Sequence, residues 1–172
     1  RHIDIGSRID GFVAHVASFR VIEIVDIRPV AQPCHDNIKF VQGNLMQPST
    51  IGMADSVSSL HAIEHFGLGR YSDPIDVNGH HKALSNLVRM VEAKGMLYVS
   101  FPIGMKNEVH FNAHRVLHPL EIFENKDIAD NMILRRFDLV NDDGALIHNV
   151  SVESSVDKVR YGCGIYTFQK KA

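Results

Sequence analysis

Four short apolar, β-branched runs occupy the first sixty residues, and each stops at a residue that turns the chain or carries a polar group. His2 to Ile5 stops at Gly6, Val21 to Asp26 stops ahead of Pro29, Ile38 to Val41 stops ahead of Gly43, and Ser56 to Leu60 stops at His61. Helix-like stretches separate some of these runs, and that alternation is the pattern of a parallel sheet with crossover connections. Between the first two, Phe12, Val13, Val16 and Phe19 recur at helical spacing, which suits packing on one sheet face. Lys82 to Ala93 is the strongest helical stretch. Ala83, Leu84, Leu87, Val88 and Val91 form its apolar stripe and Gly95 closes it. Met96 to Phe101 then reads as a fifth strand. A helix is expected from Pro119 through Ile128, followed by two late strands, Ile133 to Val140 and Tyr161 to Gln169, paired antiparallel at the sheet edge. The fold class is therefore α/β, mostly parallel, with an antiparallel C-terminal edge hairpin.

A chain of 172 residues with 45% apolar content is the size of one compact domain, and one domain is expected. Eighteen basic against twenty acidic side chains leave a formal charge of −2, which provides no global field for nucleic acid or an anionic membrane. No apolar run approaches the roughly 20 residues of a membrane helix, and no signal-peptide layout is evident. The two cysteines, Cys34 and Cys163, lie outside any paired metal spacing, fit a reducing compartment and point to the cytoplasm. Arg1 enters an apolar strand at once, so residues upstream are expected to be missing. The oligomeric state is left open.

In a doubly wound sheet, ligands bind beyond the carboxyl ends of the strands, where glycine turns allow the backbone to approach. The first strand delivers Asp4, Ile5, Gly6 and Ser7. Twenty positions after Gly6, the second delivers Asp26, the spacing at which an acid meets ribose hydroxyls. The third delivers Gly43, Asn44 and Leu45, placing an amide near an adenine edge. Three strand ends thus converge on one nucleoside. A dinucleotide is less suited, because Arg8 stands where GxGxxG requires its middle glycine and a pyrophosphate would lose its close backbone approach. S-adenosylmethionine (SAM) carries no phosphate, and Asp4 suits its amino group.

Seven of the eleven histidines fall between His61 and His118. The run His61-Ala62-Ile63-Glu64-His65 matches an inverted zinc-peptidase pattern, which needs a helix to bring both imidazoles to one face. The preceding strand and the glycines at 67 and 69 oppose that helix, so a divalent metal on His61, Glu64 and His65 is the less favoured alternative. Glu64 and His65 instead read as candidates for removing a proton from an attacking oxygen or nitrogen, His65 foremost. Arg115 reads either as a clamp for an anionic substrate group or as an ion-pair partner of Asp73 or Asp76 that pins the Phe66–Gly79 segment. That segment, with three glycines and Pro74, is the longest without regular pattern, and long ordered loops are usually functional. Cys163, between Gly162 and Gly164, reads as a buried strand thiol.

The runs HIDIGS, VDIRP, HAIEHFGLGRYSDPID, FNAHR and YGCGIYTF resemble the DUF268 family, whose members are similar to class I SAM methyltransferases with a Rossmann-like fold. The resemblance implies SAM as cofactor, with Asp4, Gly6, Ser7, Asp26, Asn44, Leu45 and His61 in its site. The Glu64-His65 pair looks like the Glu-His of small-molecule O-methyltransferases, which implies proton removal there. Arg70, Tyr71, Asn112, His114 and Arg115 are then the residues to orient a small-molecule or saccharide-like acceptor. The two departures from the methyltransferase pattern are Arg8, in place of the second glycine, and Asn44, in place of an Asp. The alternatives are a methyltransferase fold that serves as a ligand-binding or interaction module, and metal-dependent hydrolysis through His61, Glu64 and His65.

Overall fold

A computed structural model describes residues 1–30, 35–48, 51–110, 113–156 and 158–172. Cys34 and Asn112 lie outside the described residues. In chain order the elements are β1 (His2–Ile5), α1 (Gly11–Ala17), β2 (Ile22–Asp26), β3 (Ile38–Gln42), β4 (Ala54–Leu60), α2 (Gly79–Met90), β5 (Val91–Ile103), β6 (Glu108–His110), β7 (His114–Val116), α3 (Lys126–Asn131), β8 (Met132–Val140), β9 (Leu146–Ile147) and β10 (Gly162–Lys170). The main sheet runs β3-β2-β1-β4-β5-β10-β8-β9, and β6 pairs with β7 apart from it. β1 to β5 are parallel, while β10 lies antiparallel between β5 and β8. The strand order reverses between β1 and β4, and a sheet of this kind opens its ligand crevice there.

Alternation along β2 assigns the two sheet faces. Ile22 and Ile24 pack with Val13 and Ala17 of α1, whereas Val25 joins Ile3, Ile5, Val57, Leu97 and Phe101 under Leu84, Leu87 and Val88 of α2. Asp10 caps α1 by accepting from the Val13 N–H at 3.0 Å. Asn125 caps α3 in the same way through Ile128 and donates its amide to the His81 carbonyl at 2.8 Å, which ties α3 to α2.

Two expectations shift in detail. The helix expected from Lys82 runs Gly79–Met90, and Val91 already belongs to β5. Val91 is still wholly buried, so the apolar periodicity continues across the change of element. Lys94 takes a left-handed φ of 64°, and a Cβ on Gly95 would meet the Asp55 carbonyl at 2.9 Å. Regular pairing with β4 starts only at Met96. The helix expected from Pro119 is a 3-10 turn, Glu121–Glu124, followed by the short α3. The β6-β7 hairpin had no strong sequence signal.

Among the described residues, no helix is long and apolar enough to cross a membrane. Tyr166 anchors the antiparallel half of the core: it is fully buried, stacks at 5.1 Å on Phe101 and donates its hydroxyl to the Pro119 carbonyl at 2.7 Å. Tyr166→Phe leaves that carbonyl unmatched and should cost about 1–3 kcal/mol in urea unfolding; an unchanged midpoint would mean that water replaces the hydroxyl freely.

Candidate functional site

The carboxyl ends of β1 to β4 enclose an open cleft of about 570 Å³, solvent-open space included, with Ile5, Gly6, Val25, Asp26, Arg28, Asn44, Leu45, His61, Ala62, His65 and Tyr71 among its walls. At the end of β1, Gly6 has φ +82°, and a Cβ there would fall 2.6 Å from the Ala62 Cβ. Only glycine lets the β1 turn close against the residues that follow β4. Asp4 does not reach the cleft. It is wholly buried beneath the turn, where Ser58 donates a short hydrogen bond to it and Ser7 also bonds it. Its expected place beside an amino group is therefore replaced by a supporting one. Because the Ser58 hydroxyl donates to Asp4, its oxygen accepts from His2 Nε2–H at 2.7 Å, and His2 Nδ1 accepts from Ser56 at 2.8 Å. Burial holds the His2 ring down at about 4, so the His2, Ser56 and Ser58 part of this chain is uncharged near neutral pH.

Asp26 ends β2 with its residue only 5% exposed, and Arg28 engages both of its oxygens. Arg28 Nη2 donates to Oδ2 at 2.6 Å, Nε donates to Oδ1 at 2.9 Å, and the Arg28 backbone N–H donates to Oδ1 at 2.8 Å. The same guanidinium reaches the Gly6 carbonyl at 3.5 Å and lies 4.3 Å from the Tyr71 ring centre. Its bond to Asp26 raises its pKa. Arg8, the residue that breaks the glycine pattern, is exposed and absent from the cleft wall. Arg28 is the arginine that enters the cradle. Asn44, after β3, accepts from the Met46 N–H at 3.0 Å through its side-chain oxygen and lies in the cleft wall.

His61 follows β4 with φ +51°, its N–H donating to the Ser100 carbonyl at 2.9 Å. The segment Ile63–His65 is a single 3-10 turn and not the helix that a zinc-peptidase pattern needs. Among the described residues, the three side chains of metal-ligand type whose donor atoms lie within 4.8 Å of one another are His80, His81 and Glu121. His61, Glu64 and His65 form no such group in this arrangement. The His65 Nδ1 lies 2.8 Å from the Ala113 carbonyl, which can only accept. Nδ1 therefore carries the hydrogen and Nε2 bears the lone pair in the neutral ring. Glu64 is 2% exposed, with Oε1 at 3.8 Å from His65 Nε2 and 3.3 Å from His61 Nδ1. Cys163 departs from its expected burial: it is half-buried, and its sulfur lies 3.3 Å from His61 Nε2.

Tyr71 and His65 meet edge to face at 5.4 Å, and His65 meets His114 likewise at 6.1 Å. His114 Nε2 lies 3.0 Å from the Tyr161 hydroxyl, and burial lowers its pKa. Arg70 donates to the Ala113 carbonyl at 3.0 Å. Arg115 is not placed as an anion clamp. It is 4% exposed and donates to the carbonyls of Phe66 at 2.5 Å and Val77 at 3.4 Å. It thus pins the long segment, as one reading expected, but through backbone carbonyls and not through Asp73 or Asp76. Asp73 instead accepts from the N–H groups of Gly67 and Tyr71, at 2.7 and 3.1 Å, and so closes the segment on itself with Tyr71 held over the cleft. Sequence reasoning missed Arg28, Ala62, Phe66 and Tyr161; the nearness of Arg28 to Asp26 was the available signal.

Burial, moderated by the Ser58 and Ser7 bonds, raises the Asp4 carboxyl from 3.8 to about 6. The folded chain keeps this proton up to about 6, whereas the unfolded chain releases it near 3.8, so stability falls as pH rises through that window. Asp4→Asn removes this fall. Its stability relative to the parent should rise by roughly 2–3 kcal/mol between about pH 4 and pH 7 in urea unfolding; a difference that is flat with pH would show that Asp4 ionises freely.

Comparison with known proteins supplies the wider setting. No curated protein matches the sequence. The N-methyltransferase NodS from Bradyrhizobium japonicum, solved with S-adenosyl-L-homocysteine, aligns over 99% of this chain and 78% of its own, at 12% identity and TM-score 0.65. The cyclase SpnF aligns over 100% and 75%, at 12% identity and TM-score 0.72. A didemethyltoxoflavin N-methyltransferase from Burkholderia thailandensis, with S-adenosylhomocysteine and its substrate bound, aligns over 99% and 71%, at 12% identity and TM-score 0.62. These similarities establish the Rossmann-like methyltransferase fold. The family model described as "Caenorhabditis protein of unknown function, DUF268" matches residues 37–141, more than half of the sequence, and the chain belongs to that family.

Proposed function

We propose that the chain is a SAM-dependent methyltransferase for a small-molecule acceptor, with the donor's nucleoside lying across the ends of β1, β2 and β3. The observation that carries this reading is the cleft itself, where a glycine turn, a buried acid and an amide from three successive strands meet. Its walls fit a nucleoside: Val25, Ile27, Leu45 and Ala62 offer apolar surface for a base, and Asp26 offers a carboxylate for two hydroxyls. Neighbours crystallised with S-adenosylhomocysteine support the same choice of donor. When bound, SAM supplies an electrophilic methyl group on a sulfonium.

The chain's own residues orient the acceptor and take its proton. His65, fixed by Ala113, presents the Nε2 lone pair to an acceptor hydroxyl or amine, and the Glu64 carboxylate stabilises the ring once it is protonated. Tyr71, Arg70 and His114 border the acceptor, and much of the rate comes from this orientation. The polar character of these side chains fits a hydroxylated, saccharide-like molecule. Arg115 shapes this wall from behind by holding the segment that carries Arg70 and Tyr71.

A second reading, a binding module without chemistry, is favoured by Arg28, which occupies the carboxylate that the ribose needs. Calorimetry with SAM separates the two. Asp26→Ala should weaken binding by about tenfold or more, for a lost charge-assisted pair of bonds. Arg28→Ala should tighten it, by freeing Asp26. Absent binding at millimolar donor, or equal affinities for both variants and the parent, would sink the proposal. His65→Gln should lower methyl transfer by about 10²- to 10⁴-fold with SAM binding retained; undiminished turnover would remove His65 from proton transfer.

A further inference from the structure

Sulfur, imidazole and carboxylate stand in series at one end of the cleft. Cys163 Sγ lies 3.3 Å from His61 Nε2, and His61 Nδ1 lies 3.3 Å from Glu64 Oε1. A nucleophile, a base and a group that orients the base, in that order, are the parts of an activated nucleophile. The backbone is shaped for this contact. His61 holds a left-handed φ of +51°, which costs a non-glycine residue free energy and persists only where its surroundings impose it. Cys163, the second residue of the antiparallel strand β10, lies opposite Pro102 near the end of β5, at the carboxyl edge of the parallel sheet. Both of its neighbours are glycine for packing reasons. A Cβ on Gly162 would lie 2.4 Å from the Val140 carbonyl, and one on Gly164 would lie 2.8 Å from the Tyr166 ring.

Glu64 supplies the second observation. It is 2% exposed, one of its oxygens meets His61, and the other, Oε2, has no hydrogen-bond partner among the described residues. A buried carboxylate so sparsely matched calls for a positive charge beside it. His61 provides that charge by taking the thiol proton.

We propose that Cys163 is a nucleophilic thiolate paired with the His61 imidazolium, forming a covalent site for an alkylating electrophile, that is, a saturated carbon bearing a leaving group. The sulfur's electron pair forms the new S–C bond, the bond from carbon to the leaving group breaks, and the leaving group departs with its electrons. A basic leaving group takes the His61 Nε2 proton; a halide departs as the free anion. Hydrogen bonding with Cys163, and next with Glu64, pushes His61 up to about 10 against its partial burial. The titratable groups that interact with the sulfur are His61 at the end of β4 and Tyr166 on its own strand, with Glu64 standing behind His61. The thiolate needs no methyl donor to form, so a chain that binds no SAM would still carry it.

Iodoacetamide on the full chain tests this, with alkylation of Cys163 followed by peptide mass spectrometry from about pH 5.5 to about pH 9. The expected rate is nearly level above about pH 6, and at about pH 6 it exceeds that of His61→Asn by about tenfold or more. Asparagine is the replacement because it tolerates left-handed backbone. A rate that climbs tenfold per pH unit until about pH 8.5, as for an ordinary thiol, would overturn the proposal, and so would a rate that His61→Asn leaves unchanged. Should that variant fail to fold, the pH profile of the parent chain decides alone.

Discussion

The cleft depends on a single ion pair. Asp26 ends β2 almost wholly removed from water, and a carboxylate in that position must be matched by hydrogen bonds or charge. Arg28, only two residues on, matches both oxygens, touches the Gly6 carbonyl at the end of β1, and lies against the Tyr71 ring. One guanidinium therefore joins two strand ends to the long Phe66–Gly79 segment. Any ligand that brings hydroxyls to Asp26 must take over the bonds that Arg28 now makes, and with them the contact that holds Tyr71. Occupancy of the cleft and the position of its cover are thus linked through one side chain.

Beneath that pair, the sheet supplies rigidity. β1 and β4 are hydrogen-bonded neighbours whose chains leave in different directions, and Gly6 lets their exits touch at Ala62. The buried chain His2, Ser58 and Asp4 fills the space under the turn with hydrogen-bonded groups. On the other side of the cleft, Arg115 collects carbonyls that a loop of this length would otherwise leave unmatched. Two arginines thus do different work: the half-buried Arg28 faces the ligand space, and the buried Arg115 fixes the wall behind it.

The parallel sheet was legible because each strand is a short β-branched run stopped by a glycine or a polar residue, and Gly6, Asp26, Asn44, Leu45 and His61 all border the cleft. What escaped the sequence depends on side-chain direction. Asp4 and Asp26 look alike as strand acids and share a sheet face, since Asp4 lies beside Ile24, but Asp4 sits one pleat inside the strand against Ser58 whereas Asp26 ends its strand at the cleft. Arg8 drew notice because it breaks a glycine pattern, but its side chain leaves toward solvent, whereas Arg28 folds back onto its own strand end. The Cys163 contact with His61 joins residues a hundred positions apart, and nothing local to Gly162-Cys163-Gly164 announces it. The helix boundary at Met90 was misplaced because Val91 keeps the apolar period after the backbone has become extended.

The fold alone does not decide the chemistry, since a cyclase shares it with N-methyltransferases. The decision rests on what the cleft's side chains do with a nucleoside. A crystal structure of this chain grown with S-adenosylhomocysteine tests that most directly. The account predicts ribose hydroxyls on the Asp26 carboxylate, the base against Leu45 and Asn44, and Arg28 swung off Asp26. A ligand bound elsewhere, or an Arg28–Asp26 pair left intact beneath it, would contradict the account.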